Sequence, residues 1–265
     1  MSGIWRRTAA GPANFIAADA AFGIIQAMLF SCHDRAWVAV RRPLRLLSLG
    51  LACAVLLAAC AAPVPPERRP INERPMFGGV EKTESLKQAD RKLVENTLAY
   101  GITVEEGAER MIARGWQFMD EGQPGMAMRR FNQAWLLDPG NGSSYWGMAA
   151  AVWDRDAVWD REKAFVQAED LFLRAKALLP ENADLQIDFG RLYGHAEKPD
   201  KAAVHYRRAL EIDPQVRDGL RNLAIAHLDM GELDQACRYA EQAAAGGNPP
   251  EAWFFAEVRA RGRQC

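Results

Sequence analysis

Histidine is scarce in this chain, four in 265 residues, and five cysteines are too few for a disulfide scaffold. Lysine is absent from the first 59 residues, which carry six arginines and only two acidic residues, Asp19 and Asp34. Charge of one sign is also missing overall: the formal net charge is −1, so nothing global points to nucleic acid as a partner. No H-E-x-x-H, no G-x-S-x-G, no phosphate-cradling G-x-x-x-x-G-K and no metal-spaced cysteine set occurs. These absences remove the common routes to catalysis, and the expectation is a non-enzyme without metal or cofactor. What is present is ordinary for a globular protein: 49% hydrophobic and 25% charged residues.

The charge is unevenly placed. Residues 60–265 hold 27 basic against 32 acidic groups, net −5, which disfavours anionic surfaces as ligands. Ahead of them, Arg41, Arg42 and Arg45 precede an apolar run over 46–59 that ends in Leu57-Ala58-Ala59-Cys60. A basic flank, about a dozen apolar residues and small residues at the end form a secretory signal, too short for a comfortable transmembrane span. The terminal L-A-A-C resembles the bacterial lipobox. That resemblance implies diacylation of Cys60, removal of 1–59 and acylation of the new amino terminus. Several acyl chains anchor durably where one gives marginal binding. Ala61, where an aspartate commonly retains lipoproteins in the inner membrane, resembles the pattern of an outer-membrane lipoprotein facing the periplasm of a Gram-negative cell. The alternative is an ordinary signal peptide or anchor helix with an incidental cysteine. Forty residues before the arginine cluster is long for such a signal, so Met28 or a valine is a second possible start.

Residues 60–82 read as a proline-rich tether, with five prolines over 61–75 and no apolar period. From Thr83 the period turns helical, with Leu86, Ala89, Leu93 and Leu98 on one face and Gly101 as a stop. Thr103 with Glu106 matches a capping box that opens the next helix.

The chain then repeats itself. Gly115, Phe118, Ala127, Phe131, Ala134 and Pro139 are spaced identically to Gly190, Tyr193, Ala202, Tyr206, Ala209 and Pro214. This resembles the tetratricopeptide repeat, a 34-residue helix-turn-helix unit. The glycine lets paired helices cross closely, the aromatics fill the gap between units, the alanines admit backbone approach and the proline ends the second helix. Ala168, Phe172, Ala175 and Pro180 mark an intervening unit with seven extra residues before its second helix. A last unit has Ala224, His227, Ala236, Ala240 and Ala243, with His227 read as core.

The resemblance implies an all-α helix-turn-helix solenoid, a right-handed superhelix of four units (108–141, 142–182, 183–216 and 217–249). The helix beginning at Thr83 would cap it over 83–107, and a second cap would fill 250–265, since a terminal unit otherwise exposes its apolar face.

In this family the concave groove, lined by first helices, usually binds an extended peptide or a partner's helix. Carried over, the groove positions are Trp116 and Met119, then Trp146 and Trp153, then Arg191 and His195, then Arg221 and Asn222. One end would be aromatic and the other cationic, suiting a peptide with an apolar anchor and an acidic group. The competing reading makes the tryptophans inter-repeat packing and the arginines a solvated face. The basic clamp by which some members grip a C-terminal carboxylate is absent as a set. Within the insertion, Ala151-Val152-Trp153-Asp154-Arg155 recurs six residues on as Ala157-Val158-Trp159-Asp160-Arg161. On an extended helix the two tryptophans would lie about 120° apart, so either one is exposed or they pack on each other. Cys237 and Cys265 remain after processing and are a possible disulfide, structural and not redox-active, since no C-x-x-C occurs.

These features suggest an adaptor or assembly factor of the bacterial cell envelope, held to the membrane by lipid alone, with a protein partner and no nucleic acid. Three alternatives remain: a self-associating structural protein, an accessory protein binding a cell-wall fragment, and a cytoplasmic repeat protein.

Overall fold

A computed structural model describes residues 65–265; the signal region, Cys60 and the first tether residues lie outside them. Among the described residues every regular element is helical, as the repeat spacing predicts. Residues 69–265 form one compact unit.

Ten α-helices follow in order: α1 (Glu84–Ala99), α2 (Val104–Asp120), α3 (Pro124–Leu137), α4 (Gly142–Asp156), α5 (Arg161–Leu178), α6 (Ala183–His195), α7 (Pro199–Ile212), α8 (Gly219–Asp229), α9 (Leu233–Ala245) and α10 (Ala252–Ala260). Helices pair as α2 with α3, α4 with α5, α6 with α7 and α8 with α9. Each pair packs on the next, and the first helices α2, α4, α6 and α8 touch in succession. That inner ladder is the face on which tetratricopeptide repeats present a groove.

Local chemistry sets the boundaries. Thr103 and Glu106 form a reciprocal capping box at the start of α2. Prolines stand at the first turn of α3 and of α7, where a missing N–H costs nothing. Asn141, Asp160 and Asn182 accept from backbone N–H groups at the starts of α4, α5 and α6.

The signature glycines permit aromatic insertion. A Cβ on Gly115 would lie 2.4 Å from the Phe131 ring, and one on Gly147 would lie 2.3 Å from the same ring. Phe131 is therefore pinched between α2 and α4, fully buried. Gly190 stands in the same relation to Tyr206, at 2.5 Å. Gly147→Ala should destabilise the protein by about 2 kcal/mol, because overpacking by 1–3 kcal/mol or more outweighs about 1 kcal/mol of gained helix propensity. Urea unfolding checks this. In a Phe131→Leu background the same substitution should cost less than half as much, and a Gly147→Ala variant as stable as the parent would refute the pinch.

Three sequence expectations need correction. The 60–82 tether is not free throughout: residues 69–79 form a strap docked on α3 of the first repeat and on the end of α4 in the second. Glu73 pairs with Arg129 at 2.5 Å, and the Asn132 amide donates to the carbonyls of Asn72 (2.9 Å) and Arg74 (2.8 Å). Arg155 donates to the Glu73 carbonyl at 2.8 Å, and Arg69 pairs with Asp156, both buried. Two non-glycine residues of the strap, Met76 and Phe77, hold left-handed backbone (φ 49° and 57°). Packing offsets that strain: Met76 lies against the core, and the Phe77 ring is 6.4 Å from Trp135 with the Lys82 ammonium over it.

Leu86 and Leu93 face inward on α1 as predicted, joined by Asp90, Val94 and Thr97. Ala89 and Leu98 turn to solvent with Tyr100. The stripe is rotated because the Thr97 methyl fills the space over Gly107, where a Cβ would lie 2.6 Å away.

The insertion does not simply extend two helices past a common turn. The duplicated pentapeptide straddles that turn, with Trp153 inside α4 and Trp159 beyond its end. The extra length is divided between α4 (15 residues) and α5 (18 residues), against 13 and 14 in the next pair.

Candidate functional site

The first-helix ladder brings the predicted groove residues into one connected line, but it does not leave all of them accessible. At the N-terminal end, Trp116 of α2 meets Trp146 of α4 edge-on, with ring centroids 5.2 Å apart, and Trp116 also contacts Phe131 at 5.4 Å. Both tryptophans are half-buried and keep part of their rings at the surface. The Trp146 indole N–H donates to Asp188 Oδ2 on α6 at 2.9 Å. Asp188 in turn lies 3.6 Å from the Arg191 guanidinium, and both residues are buried.

Four of the eight groove residues are walls, not contact surface. Met119 is 2% exposed and belongs to the core, while Trp153, Arg191 and Asn222 are also buried. The reasons are local. The Trp153 ring stacks on His195 at 6.0 Å beneath the Arg161 guanidinium, and Arg161 also donates to the His195 carbonyl. Arg191 is drawn inward by Asp188. The Asn222 amide nitrogen has no acceptor among the described residues.

The expected cationic end is also corrected, because its charges are met internally. Arg221 lies 3.3 Å from Asp218 and 3.0 Å from Glu251, the residue preceding α10. Asp218, held at φ 68°, accepts from Asn248 at 2.9 Å. An acidic ligand group would have to displace carboxylates already in place, so the aromatic end is the more available surface.

The three described histidines are structural in environment. Burial pulls His195 down to about 4, helped by the positive charges of Arg191 and Arg161. His205 is likewise held near 4, by burial and then Lys176, and its Nδ1 meets the Gln186 side-chain oxygen at 2.8 Å. Both rings stay neutral at neutral pH and neither is poised for proton transfer there. His227 is buried, stacked on Tyr239 at 5.1 Å, with Nδ1 2.6 Å from Glu232. Burial also raises the phenols of Tyr193 and Tyr206. Among the described residues no three His, Cys, Asp or Glu side chains converge as a metal site. No described helix is long and apolar enough to cross a membrane.

The repeat-signature residues lie where the helices pack. Phe118, Ala127, Phe131 and Ala134 are buried in the first pair, Ala168, Phe172 and Ala175 in the second, and Tyr193, Ala202, Tyr206 and Ala209 in the third. Pro139, Pro180 and Pro214 follow the ends of α3, α5 and α7. Cys237 of α9 and Cys265 are bonded, with Cα atoms 5.1 Å apart. Asp188 and the Arg69–Asp156 pair were missed from sequence. Asp188 sits two residues before the signature Gly190 and three before Arg191, and that acidic–basic spacing of i, i+3 on a first helix was the available signal.

No family model and no curated protein matches the chain. Solved structures resemble it at low identity. MamA is 23% identical, with 63% of this chain and 96% of that one covered and a TM-score of 0.46. The first tetratricopeptide domain of Spaghetti, bound to an HSP90 peptide, is 20% identical over 48% of this chain and 95% of its own, with a TM-score of 0.41. YrrB, described as having an unusual peptide-binding site, is 20% identical over 57% of this chain and 67% of its own, with a TM-score of 0.38.

Proposed function

We propose that this chain is a membrane-anchored repeat lipoprotein of the bacterial envelope that recruits a protein partner through its first-helix face. The observation that carries the recruiting role is the half-buried pair Trp116 and Trp146, placed edge to face on consecutive first helices and backed by the Trp146–Asp188 hydrogen bond. Large rings with fixed orientation and one free flank are the surfaces that anchor interfaces at low entropic cost. The partner's matching feature is an apolar or aromatic side chain on an extended peptide or a helix. Anchoring follows from the L-A-A-C sequence at 57–60 and its basic flank. The docked strap starts at Arg69, so eight residues of chain separate it from the acylated cysteine, a reach of about 30 Å at most.

The test uses the full chain in its native host, with a photo-crosslinking side chain at position 116 and, as a control, at exposed Leu173. A discrete protein adduct from position 116, absent from position 173 and lost in Trp146→Ala, is expected. An adduct at twice the chain's own mass would transfer the reading to self-association. The same adducts from both positions would refute recruitment by this face.

A further inference from the structure

We propose that the turn carrying Val158 and Trp159 enters the interfacial zone of the bilayer, giving the protein a second membrane contact beside its lipid. This inference rests on the anchoring reading above.

The turn is the exposed half of a duplication. In the first copy Trp153 is only 8% exposed and stacks on His195. In the second copy, the same sequence, Val158 is 77% exposed and Trp159 45% exposed. Leu98 in the last turn of α1 and Tyr100 just past it are also exposed, but most of α1 lies between them and the strap. Val166, Leu173 and Val204 stand singly among polar neighbours on helix faces.

The turn is also rigid. The backbone N–H groups of Trp159 and Asp160 both donate to the Asp156 carbonyl, at 2.9 and 3.2 Å. The Asp160 side chain accepts from the Lys163 N–H at 3.0 Å and starts α5. A valine–tryptophan wedge fixed between two helix ends needs little ordering on insertion.

Its position along the chain identifies the occupant. Asp156, whose carbonyl fixes the turn, uses its carboxylate to hold Arg69. Arg69 is nine residues after Cys60, so an acylated Cys60 keeps this turn within about 30 Å of the leaflet. This turn hangs from Asp156, the residue that also holds Arg69 of the chain leading to the anchor, while exposed Val80 lies on that chain itself and brings no ring. Tryptophan suits that depth, with an apolar ring for the acyl boundary and an N–H for headgroup oxygens. Charge does not oppose it. Although residues 60–265 are net −5, the turn's flanks balance Asp154, Asp156, Asp160 and Glu162 against Arg155, Arg161, Lys163 and the Arg69 paired with Asp156.

The test reconstitutes the full membrane-extracted chain into vesicles of phosphatidylethanolamine and phosphatidylglycerol containing a phosphatidylcholine with brominated acyl chains. After cleavage before Cys60 the chain keeps six tryptophans, so quenching of roughly one sixth of the emission is expected, and its loss in Trp159→Phe. The mass of the N-terminal peptide is measured on the same preparation. An acylated chain with identical quenching in both forms would overturn the membrane contact and leave the anchor standing. An unacylated chain that fails to sediment with vesicles would overturn the anchor, and this contact with it. Unchanged quenching together with a discrete protein adduct from a photo-crosslinking side chain at position 159 would place a protein on the turn and overturn the bilayer as its occupant.

Discussion

Replacing Asp156 by alanine is expected to lower the unfolding free energy by about 3–5 kcal/mol, the cost of leaving a buried ionic partner uncompensated. The carboxylate serves two guanidinium groups. Arg69 pairs with it from the strap, and Arg155 approaches it at 2.9 Å from the adjacent position of α4. Side chains of Arg69 and Asp156 are 3% and 6% exposed, so water cannot substitute for the missing charge. Burial already lowers the Arg69 pKa, and Asp156 is the main counterweight. Urea unfolding gives the size of the loss, and a glutamate-specific protease gives its place. Cleavage after Glu73, inside the strap, should become fast in Asp156→Ala while the repeats stay protected. An Arg69→Met, Asp156→Leu double variant should recover most of the stability, since an apolar pair of similar volume removes the desolvation penalty from both sides. If Asp156→Ala keeps both parental stability and a protected strap, the strap is held by its other contacts.

That strap also shows where sequence reading stopped. The repeats were legible because a packed glycine–aromatic pair imposes fixed spacing, and spacing survives drift in the other residues. Phe131 against Gly115 and Tyr206 against Gly190 are such pairs. Gly147 makes the second half of the first pinch, yet it escaped notice because it belongs to the neighbouring unit, outside the spacing that links Gly115 to Phe131. Residues 69–79 carry no period to detect. They fold as two short 3-10 turns, Ile71–Glu73 and Pro75–Gly79, and Asn132 binds them through backbone carbonyls that any residue possesses. Prolines that read as a stiff spacer instead begin a turn against the array.

The groove was legible by position and illegible by accessibility. Spacing placed Trp116, Trp146, Arg191 and Arg221 on consecutive first helices, and they are there. Whether a side chain faces solvent depends on what the next helix offers it. Asp188 draws Arg191 inward, and Asp218 with Glu251 engages Arg221. Those carboxylates belong to no repeat position that signals a partner. The insertion was half legible: one of its two tryptophans is exposed, as the duplication allowed, but helical period alone treats Trp153 and Trp159 as points on one cylinder. Asp160 in fact caps a new helix, and an aspartate three residues before a backbone N–H in need of an acceptor was the overlooked stop-and-start signal.

Removing the bond between Cys237 and Cys265, by Cys265→Ser, should cost about 3–4 kcal/mol, the chain-entropy value for closing a loop across a separation of 28 residues. The loss should be local. A terminal repeat has one neighbour, so its stability is its own pairing plus a single interface. The bridged loop contains α10, whose Phe254 and Val258 are fully buried against Ala224, Leu228, Ala236 and Ala240. The Arg261 guanidinium adds a hydrogen bond to the Leu228 carbonyl at 2.8 Å. Hydrogen exchange should therefore accelerate in α9 and α10 while α2 to α5 keep their protection. Reductant should reproduce the effect in the parent and do nothing to a Cys237→Ala, Cys265→Ser double variant. Full protection of α10 in Cys265→Ser would mean that the apolar contacts hold the cap unaided. The thiol state in the native host bears on location independently of any lipid: a bond that persists there requires an oxidising compartment. A chain found with both cysteines reduced would carry the weakened cap throughout its life, and it would favour the cytoplasmic alternative over the envelope.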